Sequence, residues 1–186
     1  MNLNIRGGIS LKAAIVYKSK TGFTRRYAEW IQEEAGFDLL CYDDITKSSL
    51  EEYDLIIFGS RIHAGKLDGL KKFQTLLKDP EKVKLVVFAT GGTPLEAEEM
   101  VKAIWKASLT PEELETLPHF YFPAGLNYER MGTGDKLIMK TLARFLSKRS
   151  DKTAVEAGTE KAIGSSYDIT SKEHITPLLK YIESLS

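Results

Sequence analysis

Residues 19–24 read Ser-Lys-Thr-Gly-Phe-Thr, three hydroxyls around one glycine. Hydroxyls donate to anionic oxygens, and a glycine lets the backbone approach one closely. The run follows an apolar stretch, 13–17, and precedes a helical pattern that begins at Arg25. Strand, hydroxyl-rich turn and helix start, in that order, put unpaired backbone N–H groups and a partial positive charge at one point. The chemistry these six residues suit is binding of a phosphate monoester. Taken alone, they fit an ordinary polar strand-to-helix turn equally well.

Two further loops have a similar make-up. Ser60, Arg61, Ile62, His63, Ala64, Gly65 and Lys66 follow the apolar run 55–59. Thr90, Gly91, Gly92, Thr93 and Pro94 follow the apolar run 85–89. Ligands of open parallel sheets sit beyond the carboxyl ends of the strands, so three such loops converge. Gly91 and Gly92 allow the backbone to come close to a flat ring and to offer it N–H and C=O groups.

The elements that must position these loops alternate along the chain. Strands are predicted over 13–17, 37–42, 55–59, 85–89 and 120–125. Helices are predicted over 25–35, with Gly36 as C-cap, over 66–78, from Thr93 through Trp105, and over 175–185. Ser48 with Glu51, Thr93 with Glu96 and Thr110 with Glu113 read as helix-start signals. Alternation of this kind gives a parallel sheet with helices on both faces. The 186 residues suffice for one domain, expected over 11–186, behind a loose leader, 1–10. Residues 126–171 exceed a minimal five-unit domain and form an extension. It carries a helical pattern over 136–148 with Lys140, Arg144, Lys148 and Arg149 interleaved, then a polar loop with room for a short strand.

The pattern S-x-T-G-x-T at Ser19, Thr21, Gly22 and Thr24 resembles the phosphate loop of flavodoxins, which bind flavin mononucleotide (FMN). The resemblance implies an α/β, doubly wound, five-stranded parallel sheet in the order 2-1-3-4-5. It also implies FMN as cofactor, held by Ser19, Lys20, Thr21, Gly22, Phe23 and Thr24, by Ser60, Arg61, Ile62, His63, Ala64 and Gly65, and by Thr90, Gly91, Gly92 and Thr93. FMN is expected rather than FAD, because a G-x-G-x-x-G spacing suited to a pyrophosphate is absent. The stretch 59–66, with Ala124 to Tyr128 and 135–140, is similar to the branch containing the menaquinone-dependent protoporphyrinogen dehydrogenases. That likeness implies a flavin-dependent oxidoreductase acting on a porphyrinogen, with a quinone as acceptor. A non-enzymatic electron carrier docking with redox proteins is the alternative, and a flavin-free interaction module a third. Flavodoxins commonly sandwich the ring between aromatic side chains. Here the second loop offers His63 and the third loop offers none. His63 is expected either beside the ring, tuning it through a titration near neutrality, or exposed to solvent. Lys18, Lys20 and Arg25 flank the phosphate loop, either to strengthen dianion binding or as solvated charges.

Other chemistries find no support. Lys+Arg and Asp+Glu both number 26, which argues against a dedicated nucleic-acid binder. There is no acidic cluster after the first strand for a phospho-receiver's cation, no Walker A loop and no nucleophile elbow. His63, His119 and His174 lack metal-ligand spacing, so no metal is expected. Cys41 is the only cysteine and sits in an expected strand as an inert thiol. The expected setting is cytoplasmic. The basic helix over 136–149 is a solvated face, a contact for an acidic substrate, or a peripheral contact with the inner face of a membrane. The segment 126–149 is expected to reach the rim of the site and decide what the flavin reacts with.

Overall fold

The computed structural model describes residues 2–4, 10–79, 82–127, 129–148 and 165–185. In chain order the elements are β1 (Asn2–Asn4), β2 (Ser10–Lys18), α1 (Phe23–Ala35), β3 (Asp38–Cys41), α2 (Lys47–Leu50), β4 (Leu55–His63), β5 (Lys66–Leu67) and α3 (Leu70–Gln74). There follow β6 (Lys84–Gly91), α4 (Glu98–Ser108), α5 (Pro111–Thr116), β7 (His119–Pro123), β8 (Gly125–Leu126), α6 (Thr133–Ser147), β9 (Tyr167–Asp168) and α7 (Thr176–Ser184).

The continuously apolar runs become the middle of the sheet because they are buried on both faces. In β2, Ala13 and Ile15 join the core under α1 and α7, while Ala14 and Val16 join the core under α3 and α4. The same alternation separates Leu55 and Ile57 from Ile56 and Phe58 in β4, and Val86 and Phe88 from Val87 and Ala89 in β6. The parallel strands lie in the order β3-β2-β4-β6-β7, which is 2-1-3-4-5 when only these five are counted. The loops after β2, β4 and β6 therefore emerge side by side.

Tyr27 of α1 ties the first core together. Its hydroxyl donates to the Pro123 carbonyl and accepts from the Ser171 N–H at 3.3 Å. Its one proton is thus committed, so His174 Nδ1, 2.9 Å away, is the donor in that pair. Burial pushes the Tyr27 phenol up to about 12.

Several boundaries differ from the sequence expectation. The leader is not wholly loose, because Asn2–Asn4 pairs antiparallel with the start of β2. α2 is capped by Thr46 with Ser49 rather than by Ser48 with Glu51. The expected helix over 66–78 splits: Lys66 and Leu67 pair back onto His63 and Ile62 as β5, and α3 starts only after Gly69, whose φ is 81°. The helix expected from Thr93 starts at Glu98, because Tyr121 holds the Thr93 backbone at both its N–H and its C=O. The Thr110–Glu113 capping box and the Gly36 C-cap are found as expected. The expected short strand in the polar loop is β9. Residues 149–164 of that loop, Arg149 among them, lie outside the described residues.

Gly59 in β4 shows how tightly the sheet centre is packed. A Cβ there would lie 1.9 Å from the fully buried Phe88 ring. Gly59→Ala is expected to destabilise the fold by about 1–3 kcal/mol, as overpacking of a filled core does. Urea unfolding measures this, and an unchanged midpoint would contradict it.

Candidate functional site

The first loop presents a bare helix start. Gly22 is the N-cap of α1 with φ 99°, no side chain caps the helix, and its first turn has no acidic residue. Ser19 Oγ is buried without a hydrogen-bond partner among the described residues. Thr24 points inward: it is 2% exposed and shares a 2.7 Å hydrogen bond with Thr90 Oγ1, joining the first loop to the third. Each of the three flanking cations has a carboxylate partner. Lys18 Nζ lies 3.0 Å from Asp68, Lys20 Nζ 2.9 Å from Asp135, and Arg25 Nε 2.7 Å from Glu29.

The second loop is largely strand. β4 runs on through Ser60, Arg61, Ile62 and His63, then turns at Ala64 (φ 48°) and Gly65 (φ 80°) into β5. Two consecutive left-handed residues suit a two-residue hairpin, and an added Cβ on Gly65 would meet nothing within 4 Å. Arg61 Nη1 lies 3.0 Å from Asp135, and Arg61 Nε 3.6 Å from Asp68. His63 Nδ1 is 3.3 Å from Asp135 Oδ1. Asp135, in the first turn of α6, thus meets groups from two loops. Burial pushes its carboxyl up, but hydrogen bonds from Lys20 and Arg61 outweigh this and hold it at about 2.

Two tyrosines bolt the third loop. Tyr121 Oη accepts from Thr93 N and donates to Thr93 O, each at 3.0 Å. Tyr167 Oη donates to Gly92 O at 3.1 Å. Burial pushes both phenols above their ordinary range, so both are neutral donors. A Cβ on Gly91 would lie 2.8 Å from Tyr121 Oη, and one on Gly92 would lie 2.6 Å from Tyr167 Oη.

These loops enclose a cavity of about 470 Å³. Thr21, Phe23, Arg61, Ile62, Ala64, Gly65, Thr90, Gly91, Gly92 and Thr93 line it. Gly22 faces an adjoining polar hollow of about 660 Å³, which Thr21 and Phe23 also border. Ser19, Lys20, Thr24, Ser60 and His63 line neither. Ser60 is fully buried with its Oγ unpartnered among the described residues. His63 turns its Nδ1 to Asp135 instead of lining the cavity.

Of the remaining walls, those from α4 and the two tyrosines were not expected from sequence. Met100 and Ile104 come from α4, Met131 and Met139 from the extension, and Tyr121 and Tyr167 stand beside the glycine loop. Three of the four methionines in the chain meet here, which is a signal visible only once the elements are placed. The tyrosines supply the aromatic surface that the second and third loops lack.

A doubly wound sheet with a glycine-marked phosphate loop at its switch point and two ring-approaching loops beside it is a flavodoxin-like architecture. The chain belongs to the flavodoxin domain family, whose model matches residues 14–153. FMN is the cofactor this membership brings, and the site fits it: an uncapped helix start, an orphaned buried Ser19 hydroxyl and a cavity of suitable size stand together. A stretch of 86 residues is 36% identical to an uncharacterized protein of Methanocaldococcus jannaschii, covering 45% of this chain and 57% of that one. The match thus spans little more than half of that relative's length. Among solved structures, a flavodoxin from the domain Archaea aligns with TM-score 0.38 and 16% identity, over 83% of this chain and 100% of that chain. A putative flavoprotein from Bacteroides eggerthii gives TM-score 0.40 and 18% identity, over 60% and 86%. Flavodoxin 2 from Bacillus cereus gives 0.39 and 23%, over 60% and 85%.

Proposed function

We propose that this protein is an FMN-dependent oxidoreductase acting on a flat organic substrate in an apolar-walled site, in the manner of a protoporphyrinogen IX dehydrogenase with a quinone acceptor. The observation that supports this most is the apolar wall beside the loops. α4 adds Met100 and Ile104 to the cavity that the loops line, the turn before α6 adds Met131, and α6 adds Met139. A carrier that docks with proteins needs an uncovered flavin edge, whereas apolar walls suit a small apolar reactant and keep water away. Thioether side chains adapt to irregular flat shapes.

In this reading the first loop takes the phosphate through Thr21 and the α1 N–H groups, with the buried Ser19 hydroxyl behind them. Gly91 and Gly92 let the third loop approach the ring, and Tyr121 and Tyr167 fix that loop's carbonyls and N–H groups. Bound FMN supplies the hydride and electron transfer. His63 acts at one remove, through Asp135, as a positioning residue.

The matching proposal for partners concerns α6. Leu137 and Phe145 are exposed there, and Lys140, Arg144 and Lys148 are exposed beside them. A helix of this kind suits the surface of an anionic membrane, where a quinone would be found. Among the described residues, no helix is long and apolar enough to cross one.

The test is turnover of protoporphyrinogen IX by the FMN-loaded protein with a menaquinone analogue in anionic vesicles. Turnover should require FMN, and neutralising Lys140, Arg144 and Lys148 together should lower it while leaving FMN affinity unchanged. Absent turnover, with rapid electron exchange to a redox protein instead, would favour the carrier reading.

A further inference from the structure

Arg130, in the turn that leads from β8 to α6, stands over the phosphate loop. Its Nη1 lies 3.7 Å from the point a Cβ on Gly22 would occupy. The turn is held by the Arg130 N–H, which donates to Asn127 Oδ1 at 3.1 Å. Three arginines border the polar hollow beside Gly22. The two on α1 are committed: Arg25 to Glu29, and Arg26 to Asp168 and Thr170. Arg130 has no ion pair among the described residues. Lys20, the cation within the loop itself, is held by Asp135.

We infer that Arg130 is a phosphate-binding residue contributed by the extension, closing over the first loop and pairing with the terminal phosphate of FMN. This rests on the reading that the phosphate lies in that loop. With Lys20 held by Asp135, the donors the loop leaves to the hollow are neutral, namely Thr21 and the uncapped N–H groups of α1. A phosphate ester carries close to two negative charges at neutral pH. A guanidinium matches a phosphate with two parallel N–H donors, which an ammonium does not offer. Glu129 also borders the hollow, and it is exposed to solvent. The extension would thereby belong to the phosphate end of the cofactor site as well as to the cavity wall.

The experiment compares FMN with riboflavin, which has the same ring and no phosphate, by quenching of flavin fluorescence on titration with protein. Arg130→Gln is expected to raise the Kd for FMN about 10- to 100-fold, the worth of a charge-assisted hydrogen bond. The Kd for riboflavin should not change. Arg130→Lys should recover part of the FMN affinity and make it more sensitive to salt. Lys20→Gln should cost less than Arg130→Gln. Equal losses for FMN and riboflavin would overturn the assignment, as would an unchanged FMN affinity in Arg130→Gln. Failure of the wild-type protein to bind FMN would overturn the site itself, and so is distinguishable from failure of Arg130 alone.

Discussion

A single methyl group added at Gly125 is expected to loosen the flavin site without unfolding the sheet. Gly125 has φ 132°, a conformation that side-chain-bearing residues rarely adopt. An alanine Cβ there would lie 2.2 Å from the Tyr167 carbonyl oxygen. That oxygen is backbone, so β9 must move away from β8. The register Gly125↔Asp168 and Leu126↔Tyr167 would be lost, together with the 2.8 Å bond from Ile169 N to Ala124 O. Tyr167 would then withdraw from Gly92 and from the cavity wall. The five parallel strands take no part in this pairing, so their cores persist. Gly125→Ala should therefore weaken FMN binding by about 2 kcal/mol, or about 30-fold. Tyr167→Phe removes only the hydroxyl and should cost ~1 kcal/mol. Fluorescence titration gives both values. FMN affinity equal to wild type in Gly125→Ala would show that β9 does not shape the site.

Asp135→Asn is expected to release α6 from the two loops it clasps, and to change how stability depends on pH. The Asp135 carboxyl is held at about 2, against 3.8 for an unperturbed one. A depressed carboxylate contributes stability that is present above the unfolded value and lost as pH falls through the folded one. The window is therefore pH 4 down to pH 2. The shift corresponds to about 2 kcal/mol at neutral pH. Asparagine keeps the shape and loses this contribution, leaving Lys20 and Arg61 without their shared counter-charge. The variant should be less stable at pH 7 and should lose less than wild type on acidification from pH 4 to pH 2. Part of the acid sensitivity will remain, because Glu113 is also held at about 2: burial raises it, and Lys71, Thr110 and Gln74 outweigh that. Urea unfolding at a series of pH values reads out the difference. Parallel curves for variant and wild type would contradict the clasp.

Both variants act through contacts between residues distant in sequence, and this is where the sequence was silent. The sheet was legible because each central strand carries its own record, as in the unbroken run Leu55, Ile56, Ile57 and Phe58, whose residues alternate between two cores. Gly36 and the Thr110–Glu113 box were legible because a cap is a local event. The second loop was misjudged because the turn at Ala64 and Gly65 puts an alanine at positive φ, where sequence reasoning expects glycine or asparagine. The start of α4 was misplaced because Thr93 and Pro94 have sound capping chemistry, yet Tyr121 claims the Thr93 backbone from 28 positions away. Asp135 meets Lys20 across 115 positions and Arg61 across 74, and Tyr167 meets Gly92 across 75. No local pattern marks such residues. A lone aspartate at a helix start reads as an ordinary N-terminal acid, and a tyrosine in a polar stretch reads as a loop residue.

The central claim is that the three loops and the extension together hold FMN. The visible absorbance of the purified protein during titration with FMN tests it most directly, with FAD titrated in parallel. The account predicts flavin bands that saturate at one FMN per chain, with FAD binding more weakly. A protein that stays colourless at saturating FMN, or that takes FAD as its sole tight ligand, would contradict it.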